Sequence, residues 1–179
     1  MLLFLCMERK FCYICGGELS DKKENSWSCK QCDQRYYENP RPCVEIILFD
    51  KQDQVLISKR GIEPRKGKYD IPGGFVDLNE TLEEALAREI KEELDLEPGE
   101  YTQPKYCLSW HADYPWGKET AKTLMSVYTA RLQSDNMPKA QDDVESVMFV
   151  SPNELDIIDF SHQEYKEILR RAVDSMSKE

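Results

Sequence analysis

The 179-residue sequence has no apolar run approaching the roughly 20 residues that a membrane-spanning helix needs. Its opening, MLLFLCMERK, lacks a basic leader before the short apolar stretch and lacks a small-residue cleavage site, so no secretory signal peptide is expected. Positive charge is also short, with 24 Lys and Arg against 34 Asp and Glu, a net charge of −10 and a pI near 4.8. That deficit disfavours binding driven by the release of counterions from a phosphate backbone, so a nucleic-acid partner is not expected. There is no internal repeat and no low-complexity tract, which argues against a solenoid or a disordered linker. What is present, 40% apolar and 32% charged residues, fits a soluble globular protein with a real core, and the length suits one ordinary domain plus a small module. A cytoplasmic location is expected, and the sequence leaves a homodimer open.

The charge is unevenly spread. Residues 1–43 carry seven basic and six acidic groups, so the acidity belongs to the rest of the chain. The same N-terminal stretch holds Cys12-Tyr-Ile-Cys15 and Cys29-Lys-Gln-Cys32, two CxxC pairs with thirteen residues between them. Four thiolates at this spacing suit a tetrahedral, closed and therefore structural Zn²⁺ site. The alternatives are four unrelated thiols or two disulfides, the latter disfavoured where no secretion signal is expected. Cys6, Cys43 and Cys107 have no such spacing and read as small packing residues. Met7 is an alternative start, and residues 1–10 read as an N-terminal extension, 11–38 as the cysteine module and 41–179 as the larger domain.

Between the two pieces, Glu38-Asn-Pro-Arg-Pro42 reads as a linker, because its prolines favour extended chain and block helix. Val44–Phe49 is a β-branched run typical of a buried strand, and Val55–Ile57 returns after the turn Asp50–Asp53. Further strands are expected at Tyr106–His111, Thr123–Ala130 and Val144–Val150, with helices at Thr81–Leu94 and Gln163–Met176. Interleaving of this kind implies an α/β fold, a mixed sheet with helices on its faces.

The first of those helices carries glutamates at positions 80, 83, 84, 89, 92 and 93 around its apolar residues. At about 100° per residue, Leu82, Leu86 and Ile90 form one stripe, with Glu93 about 20° and Glu89 about 60° from its centre. Glu83 and Glu84 face solvent, but an unpaired carboxylate beside a buried stripe is costly. Glu89, Glu92 and Glu93 stand at i, i+3 and i+4, so their oxygens are expected to converge on hard cations such as Mg²⁺ or Mn²⁺. Arg88 can reach Glu84 or Glu92 and hold part of the cluster. Ahead of the helix, Pro72-Gly73-Gly74 makes a tight loop that can approach metal or phosphate closely. Such a constellation suits metal-assisted attack of water on a phosphoanhydride.

Gly74, five residues, Glu80, seven residues and then Arg88-Glu-Ile-Lys-Glu-Glu-Leu-Asp-Leu96 resembles the Nudix box, G-x5-E-x7-R-E-U-x-E-E-x-G-U. The late glycine is replaced by Asp95, a residue type that tolerates the left-handed conformation required there. The resemblance covers residues 41–155, and the CxxC pairs resemble the zinc ribbon that precedes some Nudix domains. It implies an α/β/α sandwich that hydrolyses a nucleoside diphosphate linked to a second group, a small-molecule substrate such as ADP-ribose or a nucleotide sugar. Carried over, it makes Glu92 and Glu93 metal ligands with the Gly73 carbonyl, and Glu89 a metal ligand or general base. Arg88 would orient the acids, Glu80 would support the loop or a second metal, and Asp143 would be a late acidic ligand before Phe149.

Two other readings compete. Zinc-ribbon NADH pyrophosphatases carry SQPWPFPxS after the box, and Ser109-Trp-His-Ala-Asp-Tyr-Pro-Trp116 keeps only the aromatics and the proline. Tyr114 and Trp116 would there stack on a base or cap the core, and His111 reads as an ordinary strand residue. The remaining reading is a nucleotide- or nucleic-acid-binding protein using Lys22, Lys23, Lys30 and Arg35. The near-neutral cysteine module gives it little electrostatic footprint.

Overall fold

A computed structural model describes residues 10–134 and 137–176. Cys6, Met7 and the extension before Lys10 lie outside the described residues. The chain divides into two compact units. One takes the residues up to Pro40 together with Asp113–Lys122, and the other takes Arg41–Ala112 with the residues from Thr123 onward.

The larger unit is built on a mixed sheet. Strands β3 (Arg41–Phe49), β4 (Val55–Arg60), β5 (Tyr69–Asp70), β6 (Gly73–Phe75), β7 (Lys105–Trp116), β8 (Glu119–Arg131) and β9 (Val144–Val150) pair in the order β5-β4-β3-β8-β7, with β6 on β3 and β9 on β4. β3 runs parallel to β8 over nine residue pairs, and it pairs antiparallel with β6 and β4 on its other edge. Its apolar run is continuous because both faces are covered. Val44, Ile46 and Leu48 face the helix α1 (Leu82–Leu94), through Ala85, Leu86, Ile90 and Leu94. Cys43, Ile47 and Phe49 face the helix α2 (Tyr165–Met176), through Ile168, Leu169 and Ala172. This is the expected α/β/α sandwich, with Cys43 and Cys107 serving as packing residues. Arg41 and Pro42 correct the expected linker: they already belong to β3, the proline near the strand's start where its missing N–H is tolerated.

Local chemistry explains the limits of α1. Thr81 Oγ1 accepts from Glu84 N at 3.2 Å while Glu84 Oε2 accepts from Thr81 N at 2.8 Å, a reciprocal cap that ties down two otherwise orphaned donors. Glu84 is thereby engaged at the helix start rather than with Arg88. At the other end Asp95 adopts φ 54° and ψ 35°, the left-handed position that glycine normally fills. Its carboxylate accepts from Lys91 at 2.8 Å and from Lys139 at 3.1 Å, contacts that help offset the steric cost of a Cβ there.

The smaller unit contains the hairpin of β1 (Ser26–Ser28) and β2 (Arg35–Tyr37). Among the described residues its buried apolar cluster is Cys12, Leu19, Trp27, Cys29 and Tyr36. An apolar cluster of that size stabilises little by itself, and modules of this length depend on metal or disulfides.

Candidate functional site

The geometry of the acidic helix is organised by one guanidinium. Arg88 Nε donates to Glu80 Oε1 at 2.7 Å, and Nη2 donates to Glu80 Oε2 and to the Phe75 carbonyl, both at 3.0 Å. Nη1 donates to Glu89 Oε1 at 2.8 Å and to Glu92 Oε2 at 3.0 Å. Five bonds use all the N–H groups an arginine has. Glu80, whose other contact is the Asp77 N–H at 3.0 Å, is held by Arg88 at a pKa of about 2. It braces the loop between β6 and α1.

Glu93 is buried and takes the opposite electrostatic course. Its Oε2 accepts from Gly73 N at 2.9 Å, but burial pushes the carboxyl up to about 8, with Glu89, Asp70 and Asp143 adding repulsion. Burial also raises Glu89, against the pull of Arg88. Two glycines make this approach of helix and loop feasible. A Cβ on Gly73, where φ is 146°, would fall 2.1 Å from the Val44 carbonyl oxygen, and one on Gly74 would fall 2.3 Å from Glu89 Oε1. Backbone excludes a side chain at Gly73, whereas at Gly74 one would displace the Glu89 carboxylate.

The expected convergence of Glu89, Glu92 and Glu93 needs correction. Among the described residues, the only group of three or more ligating atoms lying within 4.8 Å of one another is that of the four cysteines. Arg88 holds Glu89 and Glu92, while Glu93 leans to the loop N–H. The physical reason is mutual repulsion: each carboxylate turns to the nearest donor. The donor set still fits a hard divalent cation, because one arginine faces four glutamates and the surplus is anionic oxygen.

Asp143 is exposed, and its carbonyl accepts from Gly61 N at 2.7 Å. Its carboxylate lies within electrostatic reach of Glu93 and Arg60. Tyr114 and Trp116 have ring centroids 6.2 Å apart and belong to the unit that holds the cysteines, not to the unit of α1. His111 is an exposed residue of β7.

Sequence reasoning missed a buried polar group next to the loop. Glu45 pairs with Gly73 across the β3–β6 ladder and is only 7% exposed. Its Oε1 accepts from Tyr165 Oη at 2.9 Å, and its Oε2 has no hydrogen-bond partner. Burial, with Asp70 adding repulsion, raises its pKa well above the usual carboxylate range. Asp70 is paired with Arg60 at 2.7 Å. The signal for Glu45 was an acid in the middle of CVEIILF; for Tyr165 there was none.

In the smaller unit the four sulfurs pair off at 3.7 Å (Cys12 with Cys32) and 3.5 Å (Cys15 with Cys29). A disulfide would need about 2.05 Å, whereas Zn–S bonds of about 2.3 Å set tetrahedral edges of roughly 3.8 Å. The backbone N–H of Gly17 points at Cys15 Sγ and that of Gln31 at Cys29 Sγ, both at 3.4 Å, and Tyr36 Oη is 2.9 Å from Cys12 Sγ. Such outer contacts orient thiolates around a metal. The cysteines are free, and their arrangement can bind zinc.

A family model described as the NUDIX domain matches residues 39–172. The chain belongs to the Nudix family. Curated Nudix relatives include the "NAD-capped RNA hydrolase NudC" of Salmonella heidelberg, 32% identical over 127 residues, which covers 70% of this chain and 45% of that protein. The chain thus spans about half the length of the curated relatives it matches. Among solved structures it is similar to a NUDIX hydrolase from Nitrosomonas europaea, with a TM-score of 0.62, 26% identity and 90% of each chain covered. The NUDIX domain of Shewanella oneidensis NrtR, solved with ADP ribose, gives a TM-score of 0.65 at 19% identity, covering 78% of this chain and 90% of that one, a likeness of fold. Nudix hydrolases use divalent metals and act on small nucleotide substrates. No helix among the described residues is long and apolar enough to cross a membrane.

Proposed function

We propose that this Nudix protein is a hydrolase, dependent on Mg²⁺ or Mn²⁺, that cleaves the diphosphate linkage of a nucleoside diphosphate joined to a second group, of the ADP-ribose or nucleotide-sugar type. The observation that carries this reading is the saturated Arg88. It neutralises one charge and fixes Glu80, Glu89 and Glu92, while Glu93 stays buried with no cation of its own. Glu89, Glu92, Glu93 and the Gly73 carbonyl would hold the divalent cation, with Asp143 as a further ligand. When bound, that cation supplies a Lewis acid that polarises a phosphoryl oxygen and acidifies water. Glu89 accepts the proton of the attacking water, since burial raises its affinity for one and Gly74 leaves its carboxylate access to the loop. Arg88 keeps that carboxylate from rotating away. Glu80 acts as a brace, its two oxygens already committed to Arg88 and Asp77.

Cys12, Cys15, Cys29 and Cys32 would hold one structural Zn²⁺, a site that leaves no position for substrate. Four reduced thiols suit a cytoplasmic setting. Tyr114 and Trp116 offer aromatic faces suited to stacking on a base. A second reading, cleavage of NADH, draws support from the curated relatives, whose printed name concerns NAD-capped RNA.

The test is product analysis with Mg²⁺ or Mn²⁺ present. ADP-ribose should yield AMP and ribose 5-phosphate, and NADH should yield AMP and reduced nicotinamide mononucleotide. Comparing kcat/KM for the two separates the readings. Full activity in excess EDTA would refute the metal-dependent mechanism.

A further inference from the structure

Away from the acidic helix, the larger unit gathers hydrogen-bond donors with few acceptors among the described residues. Arg65 lies in the β4–β5 loop with φ 67°, a left-handed conformation that non-glycine residues seldom adopt. Its Nη1 is hydrogen-bonded to Nε2 of His162. Arginine can only donate, so Nε2 accepts and the imidazole proton sits on Nδ1, leaving a second donor. Among the described residues, the other N–H groups of Arg65 have no partner and no carboxylate pairs with its charge. The next residue along from His162 supplies an independent sign. Ser161 Oγ is buried without a hydrogen-bond partner, although its backbone N–H is satisfied by the Tyr69 carbonyl at 2.7 Å. Natural proteins rarely leave such a group unpaired.

The charges around His162 agree. Burial and then Arg65 hold its pKa below the ordinary value, with Arg60 acting in the same direction and Asp70 and Glu164 opposing. A half-buried guanidinium, the imidazole it touches and, one residue before that imidazole, an unpaired hydroxyl make a donor-rich neighbourhood, and its natural complement is an oxyanion. Tyr69, which bonds Ser161 and bridges to Phe160, precedes Gly73 by four residues, so at most about 14 Å of chain separates it from the catalytic loop.

We propose that Arg65, His162 and Ser161 bind a phosphomonoester that the substrate carries outside the scissile diphosphate. This deepens the hydrolase reading by naming a substrate class: a nucleoside diphosphate sugar phosphorylated on one of its riboses. The compact and partly buried donor set, on a chain of net charge −10, favours a single phosphate group over a polynucleotide.

Kinetics with ADP-ribose, its 2′-phosphate and its 1″-phosphate test this, the two esters distinguishing the adenosine ribose from the distal one. One phosphorylated form should be cleaved with a KM at least tenfold below that of ADP-ribose. In Arg65→Gly, a change the positive φ accepts without strain, that ratio should collapse toward one. Arg65→Lys should restore part of it, and Ser161→Ala should reduce it. An unchanged ratio in Arg65→Gly overturns the site, as does a preference for a short NAD-capped RNA over both esters. If none of these compounds is hydrolysed, the hydrolase reading falls, and calorimetric titration of 2′-AMP and inorganic phosphate into the metal-free protein decides the anion site separately. Binding lost about tenfold or more in Arg65→Gly supports it, and equal or absent binding in parent and variant refutes it.

Discussion

Replacing Glu93 with glutamine separates the catalytic account of the acidic helix from a structural one. The amide keeps the shape of the side chain and an oxygen for the Gly73 N–H, but it removes the charge. In the metal-free folded protein Glu93 holds its proton up to about pH 8, whereas the unfolded chain releases it near 4.5. A carboxyl with a raised folded pKa contributes fully below the unfolded value, and its contribution is lost as pH climbs toward the folded one. Over the 2.5 units up to pH 7, at about 1.36 kcal/mol each, the parent loses up to roughly 3 kcal/mol that the variant keeps. For a chain of this size that is a ceiling of about 6–12 °C in Tm. Thermal melts in EDTA should therefore find the variant equal to the parent near pH 4.5 and more stable at pH 7–8. Adding Mg²⁺ or Mn²⁺ should stabilise the parent by about 2.7 kcal/mol at a hundred times Kd and the variant by much less. Turnover should fall at least about a hundredfold, or some 2.7 kcal/mol of transition-state stabilisation. A variant that melts below the parent at every pH, with activity lost in proportion to folded protein, would refute the reasoning and make Glu93 a structural residue.

Elemental analysis of protein purified without chelator should find about one zinc per chain. Cys29→Ser should loosen residues 11–38, seen as faster amide exchange there, while hydrolysis persists; zinc-free protein with cysteines oxidised in pairs would contradict the ribbon. Arg88→Lys keeps a charge but supplies three donors in place of five, so at least two contacts to Glu80, Glu89, Glu92 or Phe75 must be lost. Its kcat should drop about tenfold or more with a smaller change in KM, and parental kcat would show that the acids do not need this brace.

Much of this architecture was legible in the residues. The β-branched run at 44–49 and the 3.6-residue stripe of Leu86 and Ile90 each act over a few neighbouring positions, and each appears where local chemistry places it. Asp95 in the left-handed position was readable for the same reason. What sequence could not supply was the pairing of distant elements. The register that sets Glu45 opposite Gly73 and the reach of Tyr165 from α2 to Glu45 depend on tertiary packing. The glutamates were expected to meet one another, but carboxylates without a cation between them turn to N–H donors instead. The grouping of Tyr114 and Trp116 with the cysteines likewise follows from the length of the β7–β8 hairpin, which no local pattern specifies.

The full engagement of Arg88 also bears on conformational entropy. A free glutamate or arginine side chain loses about 1.5–2 kcal/mol of rotamer freedom when it is fixed. With Glu80, Glu89 and Glu92 all tied to one guanidinium, that loss occurs once, when the chain folds. It does not recur each time a nucleotide arrives. The helix therefore meets its substrate with its side chains already ordered, and binding energy from the rest of the nucleotide is left to act on the reacting bond.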